Sequence, residues 1–211
     1  MRISEIFYSL QGEARDSGRP TVFVRLTGCP LRCRWCDTAY AFAGGEIMAV
    51  ADIMQRVATY PTTRVCVTGG EPLAQAAVHT LLQALCDAGY AVSLETSGAL
   101  PIEAVDPRVS RVMDLKAPDS GESERNLLSN IEDLRAHDQI KFVIASRRDF
   151  DWSLAMIEQY QLCQRVDEVL ISPVHGEQDA TQLAGWILDS RQALRLQLQL
   201  HKILWQDQAG H

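Results

Sequence analysis

A chain of 211 residues, 46% hydrophobic and 22% charged, can bury a sizeable core in a single domain spanning 1–211. A formal net charge of −7 argues against general affinity for nucleic acid or anionic membranes, while leaving room for a small anion held by one or two local cations. No apolar run approaches the ~18 residues needed to span a bilayer, and the opening MRISEIFYS lacks the apolar core of a signal peptide, so a cytoplasmic location is expected.

Along the chain, short β-branched runs alternate with longer amphipathic ones, without repeats or linkers. LQGE, at 10–13, precedes the first expected parallel strand, TVFVRLTG at 21–28, which carries Arg25. The loop TGCPLRCRWCDT, at 27–38, follows, and then a helix over 49–59. RVCVTGG, at 64–70, has the near-continuous apolar character of a strand covered on both faces. Pro72 suits the first turn of a helix whose apolar face is Leu73, Val78, Leu81, Leu82 and Leu85, and Gly89 suits its end. AVSLE (91–95), RVMDL (111–115), QIKFVIA (139–145) and EVLIS (168–172) read as strands, with helices over 150–161 and 179–190. LRLQLQL, at 194–200, alternates strictly and predicts an edge-like strand with one polar face. Six or so β-α units are too few for a closed eight-fold barrel. The expectation is an α/β fold, a partial, open parallel barrel.

In this arrangement the cysteine loop, TGGEP, ETSG, DLK and SPVHGE all fall at C-terminal strand ends, where parallel α/β folds place their chemistry. Cys29, Cys33 and Cys36 form a C-x3-C-x2-C pattern. Three thiolates can hold three irons of a [4Fe–4S] cube and leave the fourth open; the alternative is a zinc site completed by a distant His or Asp. Cys66, Cys86 and Cys163 lie apart in apolar stretches and read as small buried hydrophobes. Glycines after a strand, as in VTGGEP, let the backbone approach a ligand, or simply make a tight turn. His79 and His137 have no motif around them and read as surface residues.

CPLRCRWC, with Trp35 before its last cysteine, followed by VTGGEP, resembles the signature of the radical S-adenosylmethionine (SAM) superfamily. LQGE, Arg25 and CDT together resemble the 7-carboxy-7-deazaguanine synthases of that superfamily, and the likeness runs from about Glu5 to Trp205. The resemblance implies an open (β/α)6-like barrel of the radical SAM type. It implies a cluster on Cys29, Cys33 and Cys36, with the amino and carboxylate groups of SAM on the open iron. Trp35, Cys36 and Asp37 would lie against the cofactor, as would Gly69, Gly70, Glu71, Asp114, Leu115, Lys116, Ser172, Pro173, Val174 and His175. Leu10, Gln11, Gly12, Glu13 and Arg25 would contact a carboxylated pterin, with Thr68 near it. A guanidinium suits the carboxylate, and Gln and Glu suit the polar ring edge. Thr38 would reach a Mg²⁺, an ion that needs only one or two protein ligands beside substrate and water. The family carries a His-Lys resembling His201–Lys202.

The implied reaction, in queuosine and other 7-deazapurine biosynthesis, converts 6-carboxy-5,6,7,8-tetrahydropterin to 7-carboxy-7-deazaguanine with loss of ammonia. It starts with hydrogen abstraction from C6 by a 5′-deoxyadenosyl radical. The resemblance also implies a homodimer and a flavodoxin- or ferredoxin-type electron donor. No general acid or base is compelled by the sequence. The chain departs from the family's pattern in three places. Ala14 stands where a glycine usually follows LQGE, and DLK stands where many members have SPK. The tail WQDQAGH continues past a point where some members end, which puts a terminal-carboxylate contact in doubt. DLK also resembles the glycyl-radical activases, the first alternative. The second is a non-enzymatic electron-transfer or zinc-stabilised binding module.

Overall fold

The computed structural model describes residues 1–206; the last five positions of the expected domain and tail, 207–211, lie outside the described residues. The chain runs β1 (Arg2–Leu10), β2 (Pro20–Leu26), β3 (Glu46–Ile47), α1 (Val50–Val57), β4 (Arg64–Gly69), α2 (Val78–Asp87), β5 (Ala91–Thr96) and β6 (Ser110–Asp114). It continues through α3 (Asn130–Asp133), β7 (Gln139–Ile144), α4 (Arg147–Tyr160), α5 (Leu162–Arg165), β8 (Glu168–Pro173), α6 (Ala180–Ser190), β9 (Arg195–Leu196) and α7 (Leu200–Trp205). All nine strands join one sheet in the order β3-β1-β2-β4-β5-β6-β7-β8-β9. Every pairing from β2 to β9 is parallel; β1 is antiparallel to both β2 and β3. The sheet ends at β3 and β9 and does not close on itself.

The helices pack apolar faces onto the outside of the sheet. Ile53 and Val57 of α1, Val78, Leu81, Leu82 and Leu85 of α2, Phe150 and Ile157 of α4, and Leu183 of α6 are all buried. β4 and β8 are buried along almost their whole length, as their apolar runs require. α4 begins at Arg147, three residues before the expected 150, because the Ser146 side chain accepts the Asp149 N–H at 3.4 Å and caps it. Asp179 caps α6 by accepting the Gln182 N–H at 2.7 Å. Pro72 opens only a short 3₁₀ turn, Pro72–Ala74, and α2 proper starts at Val78. Among the described residues no helix is long and apolar enough to cross a membrane.

Four expectations need correction. LRLQLQL pairs only at Arg195–Leu196, because Gln197 turns inward, 4% exposed, to accept the Ala14 N–H at 2.6 Å; the chain then enters α7. An unanticipated strand, β1, forms a hairpin with β2, so β2 is hydrogen-bonded on both sides. Of the scattered cysteines only Cys66 is buried; Cys86 and Cys163 are half-buried. His79 and His137 are half-buried as well, His137 with a ring nitrogen 3.3 Å from the Val109 carbonyl.

Candidate active site

The C-terminal ends of the parallel strands surround one cavity of about 660 Å³. The cysteine loop leaves β2 through Gly28, whose φ of +100° lies in the left-handed region that favours glycine. The Gly28 N–H donates to the Ala41 carbonyl at 2.8 Å, and the Gly28 carbonyl accepts the Glu71 N–H at 2.7 Å. The loop is thereby stitched to the turn after β4. A Cβ on Gly70 would stand 2.3 Å from the Gly28 carbonyl oxygen and 2.8 Å from Cys29 Cβ, so only glycine allows this approach. Arg32 bonds the carbonyls of Cys29 and Leu31 and stacks 4.2 Å over the Phe42 ring.

Cys29, Cys33 and Cys36 are free thiols and all three line the cavity. Burial pushes the Cys29 and Cys33 thiols up, opposed by the nearby Lys116 ammonium. Metal loading must therefore displace protons. Three soft thiols on one wall, with glycine backbone pressed against the first, fit an iron–sulfur cluster with an open corner.

Trp35, Asp37, Gly69, Gly70, Asp114, Lys116, Val174 and His175 also line the cavity. Glu71, Leu115, Ser172 and Pro173 are buried and do not. Glu71 instead braces the rim: its carboxylate accepts from the Leu73 N–H at 2.9 Å, the Ser97 N–H at 2.7 Å, the Ser97 hydroxyl at 2.6 Å and the Thr96 hydroxyl at 3.0 Å. This welds TGGEP to ETSG. The Ser172 hydroxyl is buried without a hydrogen-bond partner.

Leu10, Gln11, Gly12, Glu13, Arg25, Thr68 and Thr38 line the same cavity. Sheet register sets Glu5, Arg25 and Thr68 in one row across β1, β2 and β4. Arg25 Nε donates to Glu5 at 2.7 Å, and the Tyr40 hydroxyl donates to the same carboxylate oxygen at 2.7 Å. Burial and the Glu5 carboxylate push the Tyr40 phenol up to about 12 against the pull of Arg25, so it remains a donor. Thr38 precedes the turn Ala39–Phe42 without capping it; its hydroxyl lies 3.8 Å from Cys36 Sγ.

Three polar residues, Glu95 of ETSG, Lys141 and Gln199, line the cavity in roles that the sequence motifs did not specify. Glu95 accepts from Gln11 Nε2 at 3.3 Å and from the Thr68 hydroxyl at 3.0 Å. Lys141 Nζ lies 2.5 Å from Glu13 and 3.3 Å from Asp114, which also pairs with Lys116 at 3.1 Å. Gln199 Nε2 donates to Glu13 at 2.7 Å. Burial alone would raise the Glu13 carboxyl, but the Lys141 ammonium outweighs it and holds Glu13 at about 2. One charged residue in the apolar run QIKFVI was the available signal for Lys141. α7 closes over LQGE, with the Leu200 N–H donating to the Gly12 carbonyl at 3.0 Å, and brings His201 and Lys202 to the cavity.

An open parallel barrel with three cysteines after its first parallel strand and a glycine pair after the next defines a radical SAM protein, and residues 23–113 match the Radical SAM superfamily. A 7-carboxy-7-deazaguanine synthase of Chlorobaculum tepidum is 43% identical over 99% of this chain and 96% of its own length. One of Koribacter versatilis is 40% identical over 97% of both chains. The crystal structure of QueE from Escherichia coli superposes with a TM-score of 0.79 at 25% identity, covering 95% of this chain and 94% of that one. The chain belongs to the 7-carboxy-7-deazaguanine synthase family.

Proposed function

We propose that this protein is a radical SAM lyase converting 6-carboxy-5,6,7,8-tetrahydropterin to 7-carboxy-7-deazaguanine, the two differing by the one ammonia released. The observation that carries the reading is that the three cysteines and the LQGE–Arg25 set line a single cavity. At about 660 Å³ it falls within the ~300–1,000 Å³ usual for small-molecule sites. Cys29, Cys33 and Cys36 would hold the cluster, and together with SAM it supplies the hydrogen-abstracting radical when bound.

The chain's own work is placement. Arg25, its Nε occupied by Glu5, keeps its two terminal nitrogens for the substrate carboxylate. Each Glu13 oxygen already accepts one bond, from Lys141 or Gln199, leaving lone pairs for N–H groups on the pterin edge. Thr38 offers a hydroxyl to Mg²⁺, whose remaining positions would go to substrate and water. α7 packs over LQGE through the Leu200–Gly12 bond and would shield a radical from thiols and other hydrogen donors that could quench it. The reducing electron would come from a flavodoxin- or ferredoxin-type donor, and the working unit would be a homodimer.

The test is anaerobic reconstitution with dithionite, SAM, Mg²⁺ and the tetrahydropterin, followed by mass spectrometry. Formation of 7-carboxy-7-deazaguanine with little net loss of SAM is expected. SAM cleavage without pterin turnover would overturn the substrate assignment and move the reading to the glycyl-radical activases.

A further inference from the structure

Lys141 is the lone charged residue of β7, and its side chain is only 14% exposed. An ammonium so placed needs counter-charge. It finds two carboxylates from different parts of the site. Asp114 lies directly across the β6–β7 ladder, and Glu13 arrives from the loop after β1, 128 residues away in sequence. Asp114 in turn holds Lys116, on the wall that the family resemblance gives to SAM. The result is a row of alternating charge, Lys116–Asp114–Lys141–Glu13, crossing the cavity wall from the cofactor side to the pterin side.

We propose that Lys141 is a positioning residue for substrate recognition, holding Glu13 as an anion aimed at the pterin and tying it to the cofactor wall through Asp114. The inference rests on the reading of Glu13 as a pterin contact. The groups facing this pair are Gln199 and His201 on the Glu13 side, and Asp114 and Glu95 on the Lys141 side. With Lys141 gone, Glu13 would sit buried without its ammonium partner, facing the Asp114 carboxylate that shared it, with Lys116 committed to Asp114, so the proton affinity of Glu13 would rise toward neutrality.

The experiment measures binding of 6-carboxypterin, a non-reacting oxidised analogue, by its fluorescence. The enzyme is cluster-loaded and SAM-bound, and the pH runs from about 5.5 to 7, where the ligand's carboxyl stays ionised and its ring N–H stays protonated. Wild type and Lys141→Arg should bind with little pH dependence. Lys141→Met should bind about tenfold more weakly near pH 6 and recover as pH rises and Glu13 ionises. Glu13→Gln should weaken binding evenly across the range, and adding Lys141→Met to it should cost little more. KM for the tetrahydropterin should follow the same pattern, with kcat moving less. A Lys141→Met profile parallel to wild type would overturn the proposal, as would Lys141→Arg binding no better than Lys141→Met. Wild-type affinity in Glu13→Gln would instead overturn the underlying reading of Glu13. Should Lys141→Met not fold, the Arg variant and the charge-neutral double variant still decide the matter.

Discussion

Arg25 shows how a residue is prepared before any ligand arrives. Its side chain is 14% exposed, its Nε is spent on Glu5, and the rings of Phe7 and Tyr40 lie 5.8 and 6.0 Å from the guanidinium carbon. Only the outer edge of the fork is left for a carboxylate. Glu5→Ala would release that edge and leave a buried cation short of counter-charge. KM for the carboxylated pterin should rise about tenfold with kcat nearly unchanged, the pattern of lost uniform binding. Steady-state kinetics at saturating SAM would check this, and a fall in kcat alone would speak against it. Ala14 shows the opposite economy. It holds φ at +62°, a conformation glycine takes more easily, yet its methyl packs in a small buried cluster with Val112 and Leu170. Its departure from the family's usual glycine is thus offset by packing.

At the scale of elements, the parallel strands β2 and β4 to β8 and the four longer helices could be read in advance because their periodicities differ. β4 and β8 are continuous apolar runs, and α2 repeats Leu at helical spacing. What escaped reading depended on partners remote in sequence. Gln197 and Gln199 looked like the wet face of a strand. Instead they turn inward to bond Ala14 and Glu13, some 183 and 186 residues away. The cysteine and glycine motifs were legible because their chemistry is local; Lys141 was not, and Glu95 only as the first residue of ETSG, since alternation alone does not say which polar strand residue meets a buried acid. The packing of α7 on LQGE makes a sharp prediction. A Cβ on Gly12 would fall 2.2 Å from His201 Nδ1 and 3.2 Å from the His201 backbone nitrogen. Gly12→Ala should therefore lift α7 and weaken pterin binding, on the order of tenfold, while iron content and SAM cleavage hold. Pterin titration beside iron analysis would separate the two, and loss of the cluster would show that the loop does more than seat α7.

At the scale of the whole molecule, chemistry and stability occupy opposite ends of the strands. The cavity sits at the C-terminal ends, whereas Arg111 near the start of β6 and Asp138 just before β7 form an ion pair with both side chains fully buried. Asp138 also accepts the Arg111 and Arg135 backbone N–H groups, each at 2.8 Å. Asp138→Asn should cost ~3–5 kcal/mol and lower the melting temperature by roughly 10 °C without changing pterin affinity in the protein that remains folded. Calorimetry with a binding titration tests both halves. Acid should act at the other end. Glu13 is held at about 2 against an ordinary 4.5, so its contribution to folding is complete above about pH 4.5 and lost as pH falls toward 2. Urea melts at pH 3 and pH 6 should show a smaller acid loss in the Glu13→Gln, Lys141→Met double variant than in wild type. One further property follows from the connection between β5 and β6, which has no helix. It is pinned by Asn130, whose side-chain amide bonds the carbonyls of Gly98 and Leu100 at 3.1 and 2.9 Å and the Ile102 N–H at 3.2 Å. With turn and side-chain bonds in place of a helix, this segment should exchange its amides with solvent deuterium ahead of the strands beside it. Ser97, where that segment begins, carries two of the bonds on Glu71. Local breathing there would loosen the glycine pair against Cys29, making cluster retention sensitive to a connection that contains no helix.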